Sequence, residues 1–341
     1  MINLKKIAFS KVVIVAEAGV NHNGKISNAL KLVDLASKAK ADYVKFQTFV
    51  PELLTSHDTK LAEYQKKNIS ENSHFKMLKK LAISEQGFRK IINRCNKKKI
   101  KFMSSPFDIK SVDLLKKLNV KIIKVPSGEI TNIPYLRKIG SLKKKIILST
   151  GMSNIKEIKK AINILTKSGT AKKKISILHC NTEYPATIDK LNLLSIKYMK
   201  NNLKMNIGYS DHSEGYEASL MAISLGAKII EKHFTLNKNL KGPDHKASLS
   251  PKELITFVKK IRLFEKSLGK YQKKPYKQEV QISKVVRKKI LANKDILKNQ
   301  KFSFINLTTK RSNKGLDASN WDKLIGKKAK KNFKKDQVIT I

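Results

Sequence analysis

The chain has 341 residues, 40% of them hydrophobic, which suffices for a barrel of about 250 residues followed by a small module. Its net charge is +47, but only six of its 73 basic residues are arginine, the residue that bidentate phosphate and base recognition favours, so we expect no specific nucleic-acid partner. No run of 18 apolar residues is present and Lys11 interrupts the first apolar stretch, so we expect neither a membrane span nor a signal peptide.

Eight short apolar runs, each ending in polar residues, recur along the chain. They are "VVIVAEAG", "DYVKFQTF", "IKFMSSPFD", "VKIIKVPSGE", "KKIILSTGM", "KISILHCNTEYP", "KMNIGYSDHS" and "AKIIEKHFT". Between most of them the apolar residues follow the i, i+3, i+4 spacing of a one-sided helix, as in "ISNALKLVDLASKAKA", "SVDLLKKLNV", "IKEIKKAINILTKSG" and "GYEASLMAISLGA". Eight strand-then-helix units predict a closed α/β barrel, (β/α)₈.

Two further segments do not follow this alternation of strand and helix. The stretch from Val50 to Ile100 is longer than one helix requires, which predicts an inserted loop beside the active site. After the closing helix "ELITFVKKIRLFEKSLG", the segment with Pro275 has no apolar periodicity. We therefore predict a barrel over residues 1–270, a linker over 271–283, and a small module over 284–341 with the β-like runs "KKILANKDI", "FSFINL" and "QVIT" around a helical "SNWDKLIGKKA".

Polar side chains gather where the eight predicted strands end. Any one of them has an ordinary explanation, since a lone lysine is usually solvated and a lone histidine is usually a core residue. Their recurrence at the same end of every unit predicts a polar catalytic pocket, because barrel enzymes carry their reactive groups there. The two cysteines, Cys95 and Cys180, are in no CxxC spacing, which suits a reducing cytoplasm and indicates no structural zinc site.

Two kinds of chemistry can be separated in this pocket. Lys45 and Lys124, with hydroxyls of Ser105, Ser127 and Ser149, would form a cationic, donor-rich patch suited to a small phosphorylated acid.

The second kind concerns two histidines. His212 and His233 end neighbouring strands, so both imidazoles could reach one divalent ion while leaving positions open for substrate. Such an ion would polarise a carbonyl group.

The motifs now in view resemble, in order, those of the sialic acid synthase family, the N-acetylneuraminate synthases and their bacterial relatives. They are "EAGVNHNG", "VKFQT", "SSPFD", "KVPSGEITNIPYL", "ILSTGM", "LHCNTEYPA", "IGYSDHSEG" and "EKHFT…GPDHKASLSP". The tail resembles the antifreeze-like SAF module of those enzymes. The resemblance implies condensation of phosphoenolpyruvate with an N-acylmannosamine-type sugar to a nine-carbon sugar acid and phosphate, with Mn²⁺ or Mg²⁺ as cofactor.

The resemblance also assigns roles to individual residues. The expected phosphoenolpyruvate ligands are Lys45, Ser105, Lys124, Ser127, Ser149 and Asn181. The expected amino-sugar ligands are Glu17, Gln47, Tyr184 and Asp244, with His212 and His233 on the metal and Glu129 in proton transfer. Glu17, Glu129, Lys45 and Lys124 are the expected catalytic groups.

The tail departs from the family pattern at two turns. Asn299 in "DILKNQ" stands where a glycine-containing turn is usual, and we expect it to take the left-handed conformation. In "KRSNKG" Arg311 remains, but the usual proline and glycine after it are absent. In the family that arginine reaches the partner's sugar site, which implies a domain-swapped homodimer.

The acceptor sugar is the finer question. The stretches "SGEITN", "AEYQKKN" and "GPDHKASL" favour the relatives that make N,N'-diacetyllegionaminate from a 2,4-diacetamido-2,4,6-trideoxymannose over those that use N-acetylmannosamine.

Two alternatives remain open from the residues themselves. One is a Schiff-base aldolase acting on a keto acid through Lys45, Lys124 or Lys232. The other is a polyanion-binding protein without catalytic activity, given the excess of lysine.

Overall fold

The computed structural model describes residues 11–56, 59–61, 73–270 and 272–340. The chain divides near residue 270 into two compact units. Residues 57–58 and 62–72 of the stretch between Val50 and Ile100, which include all of "AEYQKKN", lie outside the described residues. None of the helices in the described ranges combines the length and the apolar composition that crossing a bilayer requires.

The first unit is the expected barrel of eight parallel strands. Its strands are β1 (Val13–Gly19), β2 (Tyr43–Thr48), β3 (Lys101–Pro106), β4 (Ile122–Val125), β5 (Lys145–Ser149), β6 (Ile175–Cys180), β7 (Asn206–Asp211) and β8 (Ile229–His233). Each strand pairs with the next, and β1 pairs with β8, so the sheet closes on itself. All eight predicted strands are confirmed.

Helices follow the strands along the chain. They are α1 (Ile26–Lys38), α2 (Pro51–Leu54), α3 (His74–Leu81), α4 (Glu85–Lys97), α5 (Ile109–Lys117), α6 (Ile133–Ser141), α7 (Ile155–Lys167), α8 (Ser195–Leu203), α9 (Glu217–Ser224) and α10 (Pro251–Leu268). Local chemistry sets several starts: Asn154 and Ser250 form capping boxes with Glu157 and Glu253, which satisfy backbone N–H groups at the starts of α7 and α10. The main core lies between the outward strand faces and the apolar faces of these helices.

The two-residue alternation of the strands explains where the polar groups go. An apolar layer of Val15, Met103, Ile147, Leu178 and Ile229 fills the barrel interior. Two residues further along the same strands stand Glu17, Ser105, Ser149, Cys180 and Glu231. Because side chains two apart lie on the same face of a strand, the barrel is closed by apolar residues below and opens onto polar ones above.

The second unit has a small antiparallel sheet of β9 (Lys288–Ala292) and β10 (Leu307–Arg311). Its core includes Ile290, Phe302 and Phe333. Asn299 has φ 69°, so the prediction of a left-handed residue is confirmed. The predicted run "FSFINL" is wrong as a strand, because residues 304–306 form a turn and the ladder begins only at Leu307.

Two helices complete this second unit. α11 (Lys277–Val286) occupies much of the segment interpreted as a linker, and none of its residues is buried. The sequence analysis interpreted this stretch as a linker because it contains Pro275 and many polar residues. The short α12 (Trp321–Leu324) lies where a helical piece is expected.

Candidate active site

A cavity of about 350 Å³ opens at the carboxyl ends of the barrel strands. Most of the predicted site residues line it: Glu17, Lys45, Gln47, Ser105, Lys124, Ser127, Ser149, Tyr184, His212, His233 and Asp244. These side chains come from all eight strands or the loops that follow them. The fold thus brings together groups that stand up to 227 positions apart in the chain.

The floor of the cavity is a cluster of four buried charges. Glu231 Oε1 lies 2.8 Å from Lys124 Nζ and 3.1 Å from Lys45 Nζ. Lys45 Nζ also lies 3.3 Å from Glu17 Oε1 and donates a hydrogen bond to Ser105 Oγ at 3.2 Å. All four charged residues are at most 4% exposed, so each lysine depends on these carboxylates for its compensation.

Burial and charge act against each other in this cluster. Burial alone would lower the pKa of Lys45, but the carboxylates of Glu17 and Glu231 outweigh it and hold that pKa above its usual value. Burial would raise the pKa of Glu231, but Lys124 and Lys45 hold it well below its usual range. Burial, only partly offset by Lys45, raises the pKa of Glu17 to about 7.

Buried carboxylate oxygens in this cluster point to a missing partner. Glu17 Oε2 and Glu231 Oε2 have no hydrogen-bond partner among the described residues. Buried polar atoms are normally paired, so these oxygens mark where a ligand or water would complete the site.

Hydroxyl and amide donors stand beside the lysines. Ser127 Oγ lies 3.3 Å from Cys180 Sγ and accepts a hydrogen bond from the Gly151 N–H. A Cβ at Gly151 would approach Thr182 Cγ2 to 2.6 Å and Ser127 Oγ to 3.0 Å, so glycine is required for this close approach. Lysines and hydroxyl donors together can bind a phosphate and a carboxylate.

Two histidines, His212 and His233, also line the cavity, with ring centroids 5.5 Å apart. The Nδ1–H of His212 donates to the backbone carbonyl of Asn181 at 2.5 Å, which leaves Nε2 as the acceptor facing Tyr184 OH at 3.2 Å. His233 Nδ1 is buried without a hydrogen-bond partner among the described residues. Burial lowers the pKa of His212 to about 4, and burial followed by the nearby His212 lowers that of His233 well below its usual value.

These features fit a divalent ion held by two neutral imidazoles. Neutral histidine is the form that binds metal, and a buried ring nitrogen without a protein partner is available as a ligand. In the parts of the chain that the structure describes, no group of three or more His, Cys, Asp or Glu side chains is arranged to hold an ion. The site would therefore depend on substrate and water for its remaining ligands.

The expected amino-sugar ligands lie around this histidine pair. Tyr184 stacks on His212, with centroids 4.2 Å apart, and meets His233 edge-on at 5.7 Å. Asp244 Oδ2 lies 3.9 Å from His233 Nδ1, and burial raises the pKa of Asp244 to about 6.

Three predicted site residues do not line the cavity. Glu129 is half-buried in a short helical turn after β4 and accepts a hydrogen bond from Asn132. Asn181 donates its side-chain amide to Lys190 O and meets the site through its backbone carbonyl on His212. Arg311 is exposed at the end of β10 in the second unit.

Lys232, a candidate in the Schiff-base alternative, is also outside the cavity. It alternates with Glu231 and His233 on β8, so its side chain faces the other way, where it pairs with Asp211 at 3.1 Å. The other two lysines of that alternative, Lys45 and Lys124, are bound to carboxylates. The geometry therefore does not favour imine chemistry.

Two features of the cavity have no role in the sequence-based assignment. Glu231 is the centre of the charge cluster, accepting from Ser210 as well as both lysines. The sequence could have indicated its place, because Glu231 lies two residues before His233 and therefore on the same face of the strand. The second feature, which we call the apolar wall, is formed by Val20, Phe49, Leu54, Met77, Leu78 and Leu81.

Comparison with known proteins gives matches to both units. The model of the NeuB family matches residues 32–273, and that of the SAF domain matches residues 289–341.

Individual relatives match over nearly the whole chain. The N,N'-diacetyllegionaminic acid synthase of Campylobacter jejuni is 48% identical, over 96% of this chain and 99% of its own. The enzyme of the same name from Legionella pneumophila is 39% identical, over 94% and 91%. Among solved structures, an N-acetylneuraminic acid (sialic acid) synthetase from Leptospira borgpetersenii, in complex with citrate, superposes with a TM-score of 0.69 at 32% identity, covering 81% of this chain and 93% of its own.

Proposed function

The chain belongs to the NeuB family, and on that basis we propose that it condenses phosphoenolpyruvate with an acylated amino sugar to a nine-carbon sugar acid and phosphate. The observation that carries the proposal is the cavity itself. It places two buried lysines, with seryl hydroxyls, beside two uncharged histidines that suit a divalent ion. This arrangement suits an anionic donor on one side and a polarised carbonyl on the other.

The lysine cluster would bind phosphoenolpyruvate, the donor substrate. Lys45 and Lys124 would neutralise the phosphate and carboxylate of phosphoenolpyruvate, while Ser105, Ser127 and Ser149 donate hydrogen bonds to them. Glu17 and Glu231 fix both ammonium groups before substrate arrives, so little reorganisation is needed during the reaction.

The proposed reaction forms one carbon–carbon bond and breaks the bond between C2 and the phosphate oxygen. C3 of phosphoenolpyruvate forms a bond to the aldehyde carbon of the open-chain sugar, whose oxygen takes up a proton. The cation left at C2 takes up water and loses a proton, and the C2–O bond to phosphate then breaks. The products are the keto acid and phosphate. Glu17, with a pKa of about 7 raised by burial, is the buried carboxyl suited to exchange a proton here.

A divalent ion, Mn²⁺ or Mg²⁺, would be held by His212 and His233 and would polarise the sugar aldehyde. The hydrogen bond from His212 to Asn181 O sets the tautomer with an unprotonated Nε2, which would exchange its contact with Tyr184 OH for such an ion. Asn181 would thus contribute through its backbone carbonyl, and its contact with phosphoenolpyruvate stays a prediction. We also place the reaction in the cytoplasm, where free cysteines such as Cys95 and Cys180 persist.

We infer that the acceptor is a 2,4-diacetamido-2,4,6-trideoxymannose, the sugar that the sequence motifs favour; two of the relatives named above are N,N'-diacetyllegionaminic acid synthases. The apolar wall supports this choice, because a deoxygenated C6 and a second acetamido methyl group can be buried against it. The 6-hydroxyl of N-acetylmannosamine would lose its hydrogen bonds to water there.

Turnover on the two sugars tests this inference. We expect kcat/KM to favour the trideoxy sugar by about 100-fold, the size of discrimination that an apolar pocket exerts against an added hydroxyl. Met77→Gln, in the apolar wall, should narrow the preference, whereas Met221→Gln on the exposed surface of α9 should not. A preference for N-acetylmannosamine in the wild-type protein would contradict the assignment.

We further propose, from the family resemblance, that Arg311 completes the sugar site of a second copy in a homodimer. Arg311→Ala and Lys45→Ala should then each be nearly inactive. After subunit exchange, half of the randomly paired dimers combine one variant of each kind and regain one site of two, so activity should recover to roughly a quarter of wild type.

Two controls accompany the mixing experiment. Arg287→Ala, at an exposed arginine that ends α11, should retain activity. Exchange is verified by native mass spectrometry of differently tagged chains. No recovery despite proven exchange would show that Arg311 does not serve a partner's site.

A further inference from the structure

The segment between β8 and α10, residues 236–248, carries Asp244 to the cavity; we call it the β8–α10 loop. Its base is closed by two backbone hydrogen bonds, from Leu249 N to His233 O at 2.8 Å and from Thr235 N to Leu249 O at 2.9 Å. A loop held only at its base would leave the side chain at its tip free to move. The contacts that hold the tip of the loop therefore determine the position of Asp244.

One fastening comes from Asn21, directly after β1. Its side-chain amide donates to Phe234 O and to Ser248 Oγ, both at 2.8 Å. Ser248 Oγ in turn donates to the backbone carbonyl of Asp244 at 2.6 Å. Asn21 and Ser248 are at most 1% exposed, so this chain of hydrogen bonds is sheltered from water.

A second, separate fastening comes from Asn23. Its Nδ2 donates to Lys241 O at 3.0 Å, and its Oδ1 faces His245 Nε2 at 3.1 Å. Since Oδ1 can only accept, His245 Nε2 carries the hydrogen, and Nδ1 accepts from Thr235 Oγ1 at 2.7 Å. His245 is fully buried, and both of its ring nitrogens are hydrogen-bonded.

The packing at Gly242 shows how closely the two segments meet. A Cβ there would lie 2.6 Å from His245 Cδ2 and 3.0 Å from Asn23 Oδ1. Such distances leave no room for any side chain, so a glycine in the loop is part of the fastening.

A turn alone does not account for the asparagines. Asn23 has φ 51°, which glycine would adopt more readily, and Gly24 beside it already has φ 72°. Asn21 retains an Oδ1 with no hydrogen-bond partner among the described residues, which costs stability. Both residues direct their side-chain amides to the β8–α10 loop, so we assign them the role of holding this loop.

We propose that Asn21 and Asn23, with Ser248 and His245, form a clasp that holds the β8–α10 loop over the cavity and so positions Asp244 for the acceptor sugar. Asp244 faces His233 across Gly19, where an added Cβ would lie 3.4 Å from His233 Cε1 and 3.5 Å from Asp244 Oδ2. The clasp is a property of the loop itself, whereas its effect on the sugar rests on the proposed function. The four residues are positioning residues that act through Asp244.

Amide hydrogen exchange tests the clasp without reference to activity. Asn23→Gly removes the side chain and tolerates the left-handed backbone, so the barrel should remain folded. We expect the amides of residues 236–248 to exchange about tenfold faster, because two hydrogen bonds to the loop are lost. Ser248→Ala, which breaks the other fastening, should give the same local effect.

The matched control is Thr170→Val. It removes a buried hydrogen bond from Thr170 Oγ1 to Gly140 O, between segments that precede β5 and β6, at the opposite end of the barrel. It should leave exchange in the β8–α10 loop unchanged. Unchanged exchange in both Asn23→Gly and Ser248→Ala would overturn the clasp, whatever the enzyme does.

Kinetics then separate positioning from a general loss of structure. Asn23→Gly should raise the KM for the acceptor about tenfold while the KM for phosphoenolpyruvate changes less than about twofold. In an Asp244→Ala background the same substitution should add less than about twofold, because the residue it positions is gone. Faster exchange with additive kinetic effects would keep the clasp as a structural element but overturn its role in placing Asp244 for the sugar.

Discussion

His233→Ala should lower turnover by more than about 100-fold while leaving the barrel folded, and His212→Ala should do the same. Loss of a residue that merely orients a metal ligand costs about 10- to 100-fold, so loss of one of only two protein ligands should cost more. Both side chains lie at the cavity rather than in the apolar core, so removing either opens space that water can fill. The melting temperature should therefore change little.

Metal binding gives this prediction a readout besides activity. Wild-type protein, stripped with a chelator, should bind Mn²⁺ by electron paramagnetic resonance titration, and the two variants should bind it at least about tenfold more weakly. His179→Gln is the matched control, since His179 lies on the outward face of β6 and bonds Leu191 O. Full activity after thorough chelation would contradict the assignment of both histidines.

Glu231→Gln should cost about 3–5 kcal/mol of stability, the range expected when one partner of a buried ion pair is removed. Glutamine keeps the shape and one acceptor oxygen but not the charge. Lys124 and Lys45, which lie 2.8 and 3.1 Å from Glu231 Oε1, would then share only Glu17 for compensation. Activity should fall as well, because the donor site loses its fixed lysines.

Chemical denaturation measures the change in unfolding free energy. Glu183→Gln, in an exposed pair with Lys190, makes the same substitution where the charge is solvated, and should change stability by less than about 1 kcal/mol. If Glu231→Gln is as stable as Glu183→Gln, the carboxylate at 231 is not needed to hold the two lysines.

Much of the fold followed from local patterns. The eight short apolar runs, each ending in polar residues, located all eight barrel strands and put reactive side chains at their carboxyl ends. The left-handed conformation of Asn299 was likewise predictable, because asparagine tolerates it and the residue stands in a turn. In such cases the sequence signal and the physical cause lie within a few residues of each other.

The rest depends on contacts that no local pattern contains. Asn23 and His245 stand 222 positions apart, so a turn motif at residues 21–24 could not show that its side chains hold a distant loop. Glu231 was one polar residue among many until the closed barrel placed it between two lysines. Helix α11 lies just after Pro275 in a polar stretch and has no buried residue, so it was interpreted as part of a linker.

The most direct test of the central claim follows the bridging oxygen of phosphoenolpyruvate. The protein is incubated with Mn²⁺, the trideoxy sugar and phosphoenolpyruvate labelled with ¹⁸O between C2 and phosphorus, and both products are analysed by mass spectrometry. Since the proposed reaction breaks the C2–O bond, the label should appear in the released phosphate, in equal amount with a nine-carbon sugar acid. Label retained in the sugar acid, or no phosphate released with either acylated sugar, would contradict the account.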